Sequence, residues 1–224
     1  MSHILSAFER ELNQLKESVL MIGRLVISQT DEAVHGLQEG DRERCSDVLD
    51  QTDEVEEWEA KVDRAGMELL MRYSPVASDL RFVFSSVNVG RSLERIGAHA
   101  ASIARRSRKL LKEGRAEEIE LLGELYLDVK SITSLALQAY SDQDASISSQ
   151  VITFDERIDK SYKQITKRLS KLISEGHARA QALIELLFIC RSLERIGDLA
   201  VKVAEDVIFM ASPDDSRLPL SRRK

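Results

Sequence analysis

The sequence predicts an all-α protein made of two repeated antiparallel three-helix bundles, six long helices in all. Three observations predict it. Apolar residues recur at spacings of three and four over six long segments, the mark of helices that each bury one stripe. Glycine (10) and proline (3) are scarce, and Pro75, Pro213 and Pro219 all fall at breaks or in the tail, so nothing interrupts a long helix. Finally, the heptamer Arg-Ser-Leu-Glu-Arg-Ile-Gly stands at 91–97 and again at 191–197, one hundred residues later. Identity over a whole heptamer marks an internal duplication.

The elements follow in order. Residues 3–38 place Ile4, Phe8, Leu12, Leu15, Val19, Ile22, Val26, Ala33 and Leu37 on one face of a first helix. Glu39-Gly40-Asp41 ends it, and Asp41 caps the next. A second helix spans 42–73 through Val48, Val55, Trp58, Val62, Met67 and Leu70, and stops at Ser74-Pro75. Pro75, acceptable in a first helical turn, opens a third that runs to Lys112 and breaks at Gly114. The pattern then repeats: a fourth helix at 116–140, a turn and cap at Ser141-Asp142, a fifth at 143–175 ending at Gly176, and a sixth at 177–211. The expected division is a first bundle over 1–113, a second over 114–211, and a disordered tail over 212–224.

Composition narrows the function. The net charge is −6, and the single dense basic run, Arg222-Arg223-Lys224, lies in the tail, so the footprint of a nucleic-acid binder is missing. Cys45 and Cys190 follow no metal or redox spacing and read as two reduced thiols of a cytoplasmic protein. The amphipathic, charged N-terminus does not read as a signal peptide, and no apolar run approaches the ~18 residues that span a bilayer. There is no Gly-x-Ser-x-Gly elbow and no phosphate-cradling glycine loop. A non-enzymatic protein is expected.

The candidate chemistry is carboxylate chemistry. Asp155 and Asp159 lie four apart on the fifth helix, and Glu194 and Asp198 four apart on the sixth. Residues at that spacing share a helix face. The two helices form a hairpin about Gly176. Asp155 and Asp159 precede that glycine by 21 and 17 residues, and Glu194 and Asp198 follow it by 18 and 22. At about 1.5 Å of rise per residue the four lie at nearly one height. In the first half Glu56 and Glu94 are similarly placed about the Ser74-Pro75 break, with Asp53 nearby. The counterpart of Asp198 is Ala98, followed by His99, and Thr52 stands opposite Asp155. Like charges four apart repel by about 0.2–0.5 kcal/mol per pair, and a hard cation such as iron relieves that repulsion. Ion pairs with Arg191, Arg195, Lys163 and Lys202 are the alternative. A ferritin-like di-iron enzyme requires Glu-x-x-His on two helices; Glu32 and His35 supply one copy, and His35 reads as a surface residue at a helix end.

RYSPVASDLRFVFSSVNVGRSLERIGAHAASIA at 72–104, FDERID at 154–159 and RSLERIGDLAVKVAEDVIF at 191–209 resemble the signatures of the PhoU family, and the resemblance covers the whole chain except its tail. It implies two three-helix bundles side by side, often dimeric, and a regulator that catalyses nothing. Its implied role is to restrain the phosphate-starvation response by linking the ATPase subunit of a phosphate transporter to a sensor histidine kinase. The implied location is the cytoplasm, with the membrane reached only through partners. It also implies metal ions, iron or another hard divalent or trivalent cation, held by Asp155, Asp159, Glu194 and Asp198 and, in the first half, by Glu56 and Glu94. Ala98, Ser102 and Lys202 depart from the family pattern. The remaining alternatives are a PhoU-like paralogue that regulates another transporter and a carboxylate-bridged metal enzyme of the ferritin-like kind.

Overall fold

Every described element of the computed structural model is helical; it describes residues 2–112, 114 and 116–211, with side chains from residue 6 onward. The predicted tail, 212–224, lies outside the described residues. The helices are α1 (Ser2–Glu39), α2 (Arg42–Asp50), α3 (Thr52–Tyr73), α4 (Ala77–Lys112), α5 (Gly123–Asp142), α6 (Ala145–Ser174) and α7 (Ala180–Ala211), with a short 3₁₀ turn at Glu117–Leu122 before α5.

The stop and start signals act as their chemistry dictates. Asp41 accepts hydrogen bonds from the backbone N–H groups of Glu43 and Arg44, capping α2. Gly40 and Gly176 adopt positive φ (77° and 79°) where α1 and α6 end. Other boundaries differ from expectation. The second predicted helix is two, broken at Gln51, whose backbone turns off the helical path (φ −90°, ψ 2°) and whose carbonyl accepts a hydrogen bond from Gln29 Nε2. Pro75 is not in a first turn, because α4 starts at Ala77. Asp142 is still helical, and Asp144 caps α6 instead, accepting from the N–H groups of Ser146 and Ile147. The last helix begins at Ala180 rather than 177.

The third helix of each triplet forms the spine. α4 packs on α7; α1, α2 and α3 flank α4, and α5 and α6 flank α7. α1 also reaches α5, where Asp31 accepts from the Tyr126 hydroxyl (2.7 Å) and pairs with Lys130 (2.6 Å). One continuous core runs through both triplets, from Leu15 and Ile22 through Leu93 and Ile96 to Leu193 and Ile196.

The spine is antiparallel. Phe84, near the start of α4, meets Phe209, near the end of α7, with ring centroids 6.4 Å apart. Arg106, near the end of α4, pairs with Glu185, near the start of α7, at 3.0 Å. Residue 95 lies midway between the two α4 contacts and residue 197 midway between the two α7 contacts, so the two copies of Arg-Ser-Leu-Glu-Arg-Ile-Gly cross each other. Their burial matches position by position: Arg91 and Arg191 exposed, Leu93 and Leu193 buried, Glu94 and Glu194 half-buried, Gly97 and Gly197 buried. The closing glycine leaves room for the flanking helix in each copy. A Cβ on Gly97 would stand 3.2 Å from Val26 Cγ1, and one on Gly197 would stand 3.1 Å from Ile158 Cδ1, so each neighbour would have to give by a few tenths of an ångström.

Glu185 is almost fully buried, with 4% of its side chain exposed, and holds both Arg106 and Lys109 of α4. Those cations keep its carboxyl below the usual range against the opposing effect of burial, which is the largest single influence. Arg106 also lies over the Phe188 ring, 4.0 Å from its centroid. No described helix is long and apolar enough to cross a membrane. Cys45 and Cys190 are free and buried, and burial pushes their thiols up to about 11 and about 12.

Candidate metal centre

α6 and α7 bring the four predicted carboxylates of the second half within electrostatic reach of one another. Gly197 lets α6 approach α7 so closely that its α-carbon faces both Ile158 and Asp155 Oδ1. Asp155 is half-buried and makes no hydrogen bond or ion pair among the described residues. Burial raises its pKa to about 6, and Asp198 and Asp159 push in the same direction. Glu194, with 17% of its side chain exposed, is also raised, by burial and then by Asp198 and Asp159, against Arg195 and Arg191.

The other two carboxylates have cations, as does Glu194, which pairs with Arg195 Nε at 3.6 Å. Asp198 Oδ2 accepts from Arg195 Nη1 at 2.8 Å, and Asp159 pairs with Lys163 at 3.3 Å. Lys202, one of the cations in the ion-pair alternative, makes no ion pair among the described residues; Arg195, three residues before Asp198 and also named there, pairs with Asp198. The arginine of the second heptamer is thereby paired. The arginine of the first, Arg95, has Ala98 three residues on and no carboxylate there.

The first half holds a looser acidic group. Glu94 is raised by burial and by Glu56, so the structure brings those two together, although Glu56 itself is exposed. Thr52, opposite Asp155, spends its hydroxyl on the Leu49 carbonyl at 2.9 Å. The structure adds two acids that sequence reasoning missed: Glu59 and Asp63 on α3, held by Arg91 at 3.9 and 3.0 Å. Their signal was present, since Glu56, Glu59 and Asp63 follow the three-and-four spacing of one helix face. His99 faces α7: burial lowers its pKa, as do Arg95 and Arg195, against Asp198.

The donor set of the second half fits a hard cation. It is all oxygen, it has an excess of negative charge, and Asp155 has no cation of its own. The first half does not fit as well, because the positions equivalent to Asp155 and Asp198 are Thr52 and Ala98. Among the described residues no three His, Cys, Asp or Glu side chains already stand gathered as a metal cage. Closing one on the second-half carboxylates would require Asp198 and Asp159 to turn from Arg195 and Lys163. The single Glu-x-x-His of a ferritin-like reading is absorbed by the fold. Glu32 is held by Arg44, and His35 is half-buried rather than on the surface, edge-on to the Tyr126 ring at 5.7 Å.

The PhoU domain matches this chain twice, over residues 19–107 and 122–207. The chain belongs to the PhoU family. The double match falls on the two halves that the repeated heptamer marks. Relatives cover nearly the full length. A "Phosphate-specific transport system accessory protein PhoU homolog" of Pseudomonas aeruginosa is 32% identical, over 99% of this chain and 93% of the relative. One of Clostridium acetobutylicum is 28% identical, over 91% of this chain and 93% of the relative. The crystal structure of PhoU from Pseudomonas aeruginosa superposes with a TM-score of 0.88 at 31% identity, covering 91% of this chain and 98% of that one. That of the phosphate transport system regulatory protein PhoU from Streptococcus pneumoniae gives 0.85 at 26%, covering 92% and 98%. The all-helical PhoU architecture is thus the one these crystal structures share.

Proposed function

We propose that this chain is a cytoplasmic regulator of phosphate uptake and of the phosphate-starvation response. It acts as a non-enzymatic adaptor between the ATPase subunit of a phosphate transporter and a sensor histidine kinase. The observation that carries this reading is the double PhoU match with relatives along the whole chain, each named as an accessory of a phosphate-specific transport system. The absorption of Glu32 and His35 into structural contacts removes support from the ferritin-like alternative.

In this reading the α6–α7 carboxylates are a regulatory or stabilising metal site. Asp155, Asp159, Glu194 and Asp198 would hold a hard cation, iron or another of its class. Its charge would offset the repulsion that raises Asp155 and Glu194. Glu56 and Glu94 form at most a secondary site.

Deleting the gene tests the function. Expression of phosphate-starvation phosphatases in phosphate-rich medium and a change in phosphate uptake are expected; no change in either overturns it. The metal reading has its own test, the metal content of the purified wild type against an Asp155→Ala, Glu194→Ala double variant. Loss of metal in the variant is expected. A variant that keeps all its metal, or a wild type that carries none, reduces the site to a charge cluster.

A further inference from the structure

Eight large apolar side chains are prominently exposed among the described residues, and six of them lie between positions 67 and 84: Met67, Leu70, Met71, Val76, Leu80 and Phe84. They gather at the tip where α3 ends and α4 begins. Met71 and Val76 are 75% and 74% exposed. α1 reaches this tip, with the Phe8 ring 5.0 Å from the Tyr73 ring, but it leaves these six side chains uncovered. An apolar surface of this kind marks a contact.

The tip between α6 and α7 is built differently. Val55 beneath Gly97 and Ile158 beneath Gly197 align α3 with α6, and the two heptamers align α4 with α7. On that alignment Met67, Met71, Val76 and Leu80 correspond to Ser170, Ser174, Gly176 and Ala180. This second tip already has its contact, because the chain leaving α4 crosses the start of α7. A Cβ on Gly114 would stand 3.9 Å from Arg179 Nη2, and Glu118 Oε1 lies 3.6 Å from His177 Nε2. The spine is antiparallel about its midpoint, so the chain leaving α7 stands in the same relation to the start of α4. The contact between Phe84 and Phe209 fixes that neighbourhood two residues before α7 ends.

We propose that residues 212–224 dock on the α3–α4 tip, as the segment after α4 does on the α6–α7 tip. Length permits it. Thirteen residues follow Ala211, and an extended chain covers roughly 3.3 Å per residue. Phe84 is only seven residues from the first residue of α4, or about 10 Å of helix. Apolar character matches, since Leu218 and Leu220 supply side chains for Met71, Val76 and Leu80. Charge matches as well. Glu68 and Asp79 of this tip stand where the other tip has Lys171 and Arg179. The segments reverse in the same sense: Glu117, Glu118 and Glu120 follow α4, whereas 212–224 closes on Arg222-Arg223-Lys224. Each segment therefore opposes the sign of the tip it meets. Arg72, a cation of the α3–α4 tip, is already held by Glu11 at 3.1 Å. Arg81 Nε is buried without a hydrogen-bond partner among the described residues, and Asp214 and Asp215, three and four residues past Ala211, offer it an acceptor. The covalent tether supplies an effective concentration on the order of millimolar, so contacts too weak to hold a separate molecule suffice. Any partner of this tip must first displace the segment. The inference does not rest on the transporter and kinase partners.

Met67 and Met71 report on this cover, because peroxide converts accessible methionine to its sulfoxide, which peptide mass spectrometry reads. The wild type is compared with a chain that ends at Ala211 and with a full-length Leu218→Glu, Leu220→Glu double variant. In both variants Met67 and Met71 are expected to oxidise severalfold faster than in the wild type, relative to Met21 on α1, with helical circular dichroism unchanged. Dilution of the wild type should leave its protection intact, since the cover is intramolecular. If the shortened chain fails to fold, the double variant carries the test. Equal rates in the wild type and a folded variant overturn the proposal. Protection that disappears on dilution also overturns it and assigns the tip to a separate molecule.

Discussion

Asp155 makes a prediction whose sign depends on pH. Its carboxyl titrates near 6 in the folded chain, against 3.8 for an unperturbed aspartate, chiefly because burial disfavours the charge and then because Asp198 and Asp159 repel it. The folded state therefore holds this proton more tightly than the unfolded chain does. Folding gains fully below about pH 4, and the gain is lost as pH rises through about 6. At 1.36 kcal/mol per unit the charged form would cost about 3 kcal/mol above that range. The side chain is only half-buried, so solvent screening reduces this to roughly 1–2 kcal/mol. Asp155→Asn keeps the shape and removes the charge. In chelator at pH 7.5 it should raise the melting temperature by about 2–8 °C, given roughly 2–4 °C per kcal/mol for a chain of this size. At pH 4.5 the difference should shrink toward zero. With a hard cation added at pH 7.5 the order should invert, because the wild type gains a ligand-dependent increment that the variant lacks. Differential scanning fluorimetry at the two pH values reads all three. An Asn variant less stable than wild type in chelator at pH 7.5 would refute the reasoning, since it would mean that the Asp155 charge is favourable in the folded chain.

Other substitutions probe the frame. Glu185→Ala removes the buried acceptor shared by Arg106 and Lys109 and should cost about 2–4 kcal/mol in urea denaturation, discounted because both cations reach solvent; a cost below 1 kcal/mol would show that the pairing is incidental. Asp41→Ala and Asp144→Ala each remove two N-cap hydrogen bonds and should each cost about 1 kcal/mol, additively, because they cap different helices. Ser74 ends α3 in the left-handed region (φ 45°), so Ser74→Gly should stabilise by up to ~1 kcal/mol, again in urea.

Much of the fold was legible because its signals are local. Asp41, Gly40 and Gly176 announce helix ends through their own side chains or lack of them, and the heptamer announces the duplication without any alignment. The break at Gln51 carried no such mark. Val48 and Val55 sit seven apart on either side of it, as an unbroken helix would have them, and neither Gly nor Pro intervenes. The height of the four second-half carboxylates followed from counting residues about Gly176, and Asp155 and Glu194 each lie within electrostatic reach of Asp159 and Asp198. Their ion-pair partners did not follow. Lys202 and Arg195 both lie within a turn of Asp198, and only the rotamers decide that Arg195 takes it. Nor could periodicity say that α4 runs antiparallel against α7, because it fixes which face is buried and not what buries it.

That crossing gives the molecule a fulcrum. The two heptamers meet at the midpoint of the spine, and the carboxylates of Glu94 and Glu194 flank it. Phe84 and Arg106 each lie about eleven residues from that midpoint along α4, or some 17 Å at helical rise. A change of only 5° in the angle between α4 and α7 would swing either end by about 1.5 Å, with the α3–α4 tip at one of them. A small rotation at the centre would thus appear as a larger displacement at the tip.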